Sequence, residues 1–478
     1  MLGNKSDRLA ALAFAALQTR LRLTRRSFGA GTAALAAALG VRSAMASPVI
    51  SVDQPTPLFD ATVAIEVRGF PARQPVTITA TQTYPNGSRW QGRATFMSDD
   101  EGCVYVARQA PISGTYDGVS AMGLIWSAEL LPGQTRTPPP GSIMLPKPVQ
   151  LEATRPDGTR AEFMLERHVA APGVTRTLIR TEGIVGTLFL PPNDGPHPAV
   201  VVLNGGDGGI DEYRGAILAS HGYAALNLGY FGMDGLPRGL VNIPLEYFEN
   251  AIRWMRRQPW LGDHFLAVWG ESRGGELALL LGATFPEINA VIAWVPSGVV
   301  FWALGLAEPG DTRPRAAWTF QGKPLPYLQE NNTSMGTPPV ASAGQPVVYT
   351  PYYLGQLRDS SAVERATIPV EKTRGPILLV SGADDRMWPS SALADIAMRR
   401  LEMHRFAFPF KHLKYDGAGH QIRLPGGPQT VRTLRLRVEG ASAELLDMGG
   451  STKADAAAGS DAWRSVLEFL EAGAQGRR

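Results

Sequence analysis

Two hydrophobic periodicities divide the chain. Between about residues 48 and 175, apolar and polar positions alternate. Ala61-Thr62-Val63-Ala64-Ile65-Glu66-Val67-Arg68 and Pro75-Val76-Thr77-Ile78-Thr79-Ala80-Thr81 repeat with period two and are rich in β-branched residues, the signature of half-buried strands. Tyr84-Pro85-Asn86-Gly87 and Arg155-Pro156-Asp157-Gly158 supply turns between extended runs. Short strands at close spacing, with almost no helical signal, predict a β-sandwich over residues 47–178.

From about residue 180 the alternation gives way to short continuous apolar runs: Ala199 to Leu203, Ala224 to Leu228, Leu266 to Trp269, Ala290 to Val295 and Ile377 to Val380. Such runs suit parallel strands buried on both faces. Helical segments lie between them. Leu245, Phe248, Ala251, Ile252 and Met255 share one face of a helix over 245–257, and Glu276 to Ala283, Ser391 to Leu401 and Asp461 to Ala472 read the same way. Strands alternating with helices predict an α/β domain over 179–478, with a parallel sheet covered on both sides. Residues 301–368 interrupt the alternation with Pro, Gly and polar residues, as a functional insertion or lid does. A second weakly patterned stretch runs from Leu424 to Gly459, with mobility expected in its Gly-Gly and Ala-rich parts.

The first 46 residues read as a targeting segment. Arg25-Arg26 precede a mildly apolar Ala- and Gly-rich run, and Ala44-Met45-Ala46 follows as a small–x–small cleavage site. Paired arginines before a weak apolar core resemble a twin-arginine signal, so a periplasmic or secreted protein with no stable membrane anchor after processing is expected. This segment also explains the net charge of +3. It carries seven Lys/Arg against Asp7, leaving the remainder at −3. Nucleic acid is therefore not an expected partner. Cys103 is the one cysteine, which excludes an internal disulfide and cysteine-based zinc sites; its alternating surroundings place it in a half-buried strand.

Gly270-Glu271-Ser272-Arg273-Gly274 is the central motif. G-x-S-x-G is a modest signal alone, but here it follows the apolar run 266–269 and opens a helix. A serine on such a strand–turn–helix projects above the sheet, with the helix N-terminus beside it to favour an oxyanion. A hydroxyl needs a base, and this arrangement expects the chain order Ser, acid, His. Of His404, His412 and His420, only His420 lies in a small-residue turn, Asp416-Gly417-Ala418-Gly419-His420, directly after a predicted strand over 410–415. That is the sheet edge where open α/β folds gather ligands. Ser381-Gly382-Ala383-Asp384-Asp385 follows another strand and offers the acid, with Asp384 and Asp385 equally placed; either could instead cap the next helix. Leu203-Asn204-Gly205-Gly206-Asp207-Gly208-Gly209 follows the first buried strand, and Gly206 and Arg273 are the expected backbone donors of an oxyanion hole. The loop lacks the G-x-x-x-x-G-K-[ST] spacing of a nucleotide cradle. No cofactor or metal is expected.

Taken together these features predict an α/β-hydrolase domain preceded by an N-terminal β-sandwich. The whole resembles the acyl-CoA thioesterase / bile acid-CoA:amino acid N-acyltransferase family. The resemblance rests on Val67-Arg68-Gly69-Phe70, Gln74-Pro75-Val76-Thr77, Ala121-Met122-Gly123-Leu124-Ile125-Trp126, Gly208-Gly209 before Glu212-Tyr213-Arg214, Leu245-Glu246-Tyr247-Phe248-Glu249, Ser272-Arg273-Gly274-Gly275-Glu276 and Gly417-Ala418-Gly419-His420. It implies Asp385 rather than Asp384 as the acid. It also implies a small-molecule acyl thioester or carboxylic ester as substrate, with serine rather than cysteine at 272 leaning towards hydrolysis. Acyl transfer to an amine or alcohol, and a non-catalytic envelope binding protein, are the competing expectations.

Overall fold

The computed structural model describes residues 47–261, 265–305, 315–329, 339, 344–436 and 444–476. The expected export signal, residues 1–46, lies outside them.

Strands Pro75–Thr83, Arg89–Met97, Lys147–Thr154 and Arg160–Arg167 form an antiparallel sheet, with the short Ser113–Gly114 and Glu129–Leu130 pairing onto Arg89–Met97. A second sheet joins Val49–Val52, Ile65–Arg68 and Val104–Tyr105. The period-two pattern does what it predicts: every second residue of Lys147–Thr154 is buried. The inward residues of both sheets, among them Val67, Ile78, Phe96, Val104, Leu151 and Leu165, fill one core. Cys103 is a buried free thiol directly before the strand Val104–Tyr105.

The remainder is organised by an eight-stranded sheet. Its strands are β1 (Thr175–Thr181), β2 (Ile184–Leu190), β3 (Ala199–Leu203), β4 (Ala224–Gly229), β5 (Leu266–Glu271), β6 (Ala290–Trp294), β7 (Ile377–Gly382) and β8 (Phe410–Tyr415), in the spatial order β1-β2-β4-β3-β5-β6-β7-β8. The pairs β1/β2 and β2/β4 are antiparallel and the rest parallel. β1 spans residue 178, so the sheet begins ahead of the expected boundary. β3, β4, β6 and β7 are buried at every position, because both faces are covered. Ala199, Val201 and Leu203 enter one core with the helices α2 (Leu245–Arg256), α3 (Arg273–Thr284) and α4 (Ser390–Met403). Val200 and Val202 face the other, with α1 (Glu212–Ser220) and α5 (Thr452–Gln475).

The described residues of two weakly patterned stretches hold helices and strands. Within 301–368, Trp318–Phe320 pairs with Lys323–Pro324, and helices run over Thr350–Gln356 and Ser360–Ala366. Phe301, Trp302, Tyr352, Tyr353 and Trp388 pack there as one aromatic cluster. Between 424 and 459, Thr433–Leu436 pairs with Glu444–Asp447, and α5 begins at Thr452 rather than Asp461. The early turns of α5 are built on Ala456, Ala457 and Ala458, strong helix formers that add little to an apolar stripe. Ser451 caps the helix by accepting the Ala454 N–H at 3.2 Å.

The sandwich is fastened to the larger sheet by buried polar contacts. Arg167, fully buried, donates to Gly426 O at 2.6 Å and to Phe59 O, with its guanidinium 4.5 Å from the Phe59 ring centroid. Asp60 Oδ2 accepts the Trp463 indole N–H at 2.7 Å and lies 2.7 Å from His221 Nε2.

Candidate active site

Ser272 stands at the junction of β5 and α3 with φ 56° and ψ −120°, a conformation that non-glycine residues rarely adopt and that functional turns retain. The surrounding glycines make the turn possible. A Cβ on Gly270 would overlap the Gly274 carbonyl oxygen, and one on Gly274 would overlap Asn204 O. The turn is held from the sheet side, where Ser272 N–H donates to Trp294 O at 2.8 Å.

His420 follows β8 through Asp416–Gly419, and its own N–H donates to Met448 O at 2.7 Å. Its Nε2 lies 3.1 Å from Ser272 Oγ, and its Nδ1 lies 2.8 Å from Asp385 Oδ2. Asp385 is buried, and its Oδ1 accepts the N–H groups of Met387 at 3.0 Å and Trp388 at 3.1 Å. Asp384 turns elsewhere: it pairs with Arg386 and accepts Gly450 N–H at 3.1 Å. Neither aspartate caps α4, whose N-cap is Pro389. The three side chains thus form a hydrogen-bonded series in which imidazole can take the hydroxyl proton while carboxylate favours the resulting imidazolium.

A second series, Ser381–His412–Asp395, has similar distances: 2.7 Å from Ser381 Oγ to His412 Nε2, and 3.1 Å from His412 Nδ1 to Asp395 Oδ1. Position separates the two. Ser381 lies within β7, is fully buried, and is also bonded to Ser391 Oγ at 2.8 Å. Burial holds the His412 pKa down despite Asp395. His404 is the C-cap of α4.

The first N–H groups of α3 have no partner within their own helix, and Arg273 N–H is the first of them. Gly206 lies beside it: a Cβ built on Gly206 would stand 3.4 Å from Arg273 Cγ. The Arg273 side chain points away from the hydroxyl and donates to the carbonyls of Phe301 at 3.1 Å and Trp302 at 3.0 Å. Glu276, one turn on and fully buried, accepts the Trp318 indole N–H at 2.7 Å and the Phe301 N–H at 3.3 Å. Burial pushes its carboxyl up to about 7, against the opposing pull of Arg273. This clamp binds the insertion to the helix that carries Ser272. A lone glutamate ahead of Leu277-Ala278-Leu279-Leu280 was its one sequence signal. Trp388 was also missed: its ring centroid lies 6.0 Å from that of His420, and its indole N–H donates to Val295 O at 3.0 Å. On the other side Arg214 pairs with Glu271, next to Ser272, and lies 5.5 Å from the Trp269 ring centroid.

Among the described residues no group of His, Cys, Asp and Glu is arranged to hold a metal ion, and no helix is long and apolar enough to cross a membrane.

The sheet order, its antiparallel start and the serine at the β5–α3 turn define an α/β-hydrolase fold. Comparison with known proteins narrows the class. The chain belongs to the acyl-CoA thioester hydrolase/BAAT family: the model of the family's N-terminal region matches residues 60–181, and that of its C-terminal region matches residues 243–475. It is 31% identical to the peroxisomal succinyl-coenzyme A thioesterase of Mus musculus over 427 residues, covering 86% of this chain and 93% of that protein. It is also 31% identical to the mitochondrial acyl-coenzyme A thioesterase 2 of Mus musculus, covering 86% of each. With the acyl-coenzyme A thioesterase 1 of Rattus norvegicus it shares 32% identity, over 86% of this chain and 93% of that one.

Proposed function

We propose that the protein hydrolyses acyl thioesters of the acyl-CoA type, or related carboxylic esters, through an acyl-enzyme on Ser272. The observation that carries this reading is the 3.1 Å and 2.8 Å series from Ser272 through His420 to Asp385 at a strand-to-helix turn. His420 Nε2 takes the proton as Ser272 Oγ attacks the acyl carbonyl. The N–H groups of Arg273 and Gly206 receive the oxyanion. Asp385 stabilises the imidazolium, which then protonates the departing thiolate. Water, deprotonated by His420, attacks the acyl-serine and releases a carboxylic acid. The insertion, clamped through Arg273 and Glu276, forms the wall against which the acyl group rests. The names of the relatives support thioester rather than peptide substrates.

The test is turnover of butyryl-CoA, palmitoyl-CoA and p-nitrophenyl esters by wild type and Ser272→Ala, with fluorophosphonate labelling alongside. Loss of both in the variant supports the mechanism; retained turnover overturns it. We propose further that Arg25-Arg26 direct export of the protein, which mass spectrometry of the N-terminus in cell fractions would check. An intact N-terminus in the cytoplasm would refute it.

A further inference from the structure

The imidazole must stay in register with two partners that follow different strands, yet the loop that carries it is made of Gly417, Ala418 and Gly419, which have no polar side chain to hold it. The contacts that fix it come from beyond the loop. Gly419 N–H donates to Asp455 Oδ1 at 2.8 Å. Asp455 lies in the first turns of α5, with its side chain 2% exposed. Its Oδ2 receives Arg432 Nη1 at 3.0 Å, and Arg432 Nη2 donates to the carbonyls of Gly449 and Gly450. The same 448–450 turn reaches both loops of the site. Met448 O accepts His420 N–H at 2.7 Å, Gly450 N–H donates to Asp384 O at 3.0 Å, and Gly449 bridges to Asp385. A Cβ on Gly419 would overlap Gly449 and Met448 O, so the two segments are in direct backbone contact.

We propose that Asp455, held by Arg432, is a positioning residue that sets the backbone of Gly419 and thereby the register of His420 between Ser272 and Asp385. The inference deepens the hydrolase reading and rests on it. Removing the carboxylate leaves a buried N–H unpaired beside the base and frees Arg432 from one of the groups it ties together. The loop can then shift by a fraction of an ångström, enough to spoil a proton transfer without touching the substrate surface.

The experiment compares wild type, Asp455→Ala and Asp455→Asn by kcat and KM on butyryl-CoA and by the rate of fluorophosphonate labelling, well below each melting temperature. Asp455→Ala should lower kcat and labelling together by roughly 10²-fold, the scale of a 1 Å misplacement, with KM nearly unchanged. Asp455→Asn, which can still accept from Gly419 but turns an N–H rather than an oxygen towards Arg432, should recover part of the loss. A lower melting temperature with wild-type kcat and labelling would reduce Asp455 to a purely structural role and overturn the proposal. Should Asp455→Ala not fold, Arg432→Gln replaces it, with a fall in kcat at constant KM expected and wild-type kcat counting against. Absence of turnover and labelling in the wild type would refute the hydrolase reading itself. Normal wild-type activity with indifferent variants would refute only the role of Asp455.

Discussion

Trp318 donates its indole N–H to Oε1 of Glu276 at 2.7 Å, in a place where neither side chain reaches water. The contact joins the inserted segment to the helix that begins beside Ser272, so it couples the insertion to the stability of that helix. Trp318→Phe keeps an aromatic ring but deletes the donor and part of the indole's volume. It should lower folding stability by about 2–4 kcal/mol, the cost of a buried acceptor left without its partner together with the space left behind, measured as a shift in the urea midpoint at unchanged slope.

The acidity of Glu276 gives a pH signature. Its carboxyl is raised from 4.5 to about 7, so between those values the folded protein holds a proton that the unfolded chain has released. Stability must therefore fall as pH rises through that window. His412 works in the opposite sense. Its pKa is lowered from 6.5, so the unfolded chain is protonated first, and stability present above 6.5 is lost as pH falls through the depressed value. Urea titrations at intervals from pH 4.5 to 8 should show the falling component shrink in Glu276→Gln, most of all above pH 6, because the Asp455 carboxyl, raised to about 6 by burial, supplies the rest; it should persist in His412→Asn.

Ser272→Ala should reduce turnover by roughly 10⁴- to 10⁶-fold, as removing the nucleophile of a hydroxyl–imidazole pair does, while stability moves by less than about 1 kcal/mol at this half-exposed position. A variant that melts like wild type yet retains a tenth of the activity would contradict the role given to this hydroxyl.

Two glycine substitutions should part company. A methyl on Gly270 meets the backbone oxygen of Gly274, which cannot yield without opening the turn, so Gly270→Ala should fail to accumulate as folded protein. A methyl on Gly206 meets Cδ1 of Leu304 at 2.9 Å, the end of a flexible side chain. Gly206→Ala should fold and lose kcat by crowding the oxyanion loop. Soluble yield and kcat, measured together, check both.

Much of this was legible in the residues because the relevant signals are local. Apolar runs too short for alternation mark the sheet, and a serine between glycines at a strand's end marks the turn. Among three histidines, only the one in a small-residue turn after a strand meets Ser272. The limit was reached at Asp384 and Asp385, neighbours with the same local grammar. Which faces the imidazole depends on the turn taken after β7, and there Arg386 and Gly450 engage Asp384 while two amides orient Asp385. The insertion was opaque for a different reason. Tyr352, Tyr353, Trp302 and Trp388 come together from separate segments with no period to betray them, Trp302 and Tyr353 stacking at 5.5 Å. Asp455 was invisible because a carboxylate in an alanine-rich run looks like a solvated face until Gly419 and Arg432 are seen against it.

The Arg167 guanidinium gives one Nη group to the Phe59 carbonyl within the sandwich and the other to the Gly426 carbonyl beyond it, tying the sandwich to its neighbour. A chain shortened to begin at residue 179 would also strip Asp60 from Trp463 and His221, baring an indole on α5 and an imidazole at the end of α1. The N-terminal strands are thus less an appendage than a keystone.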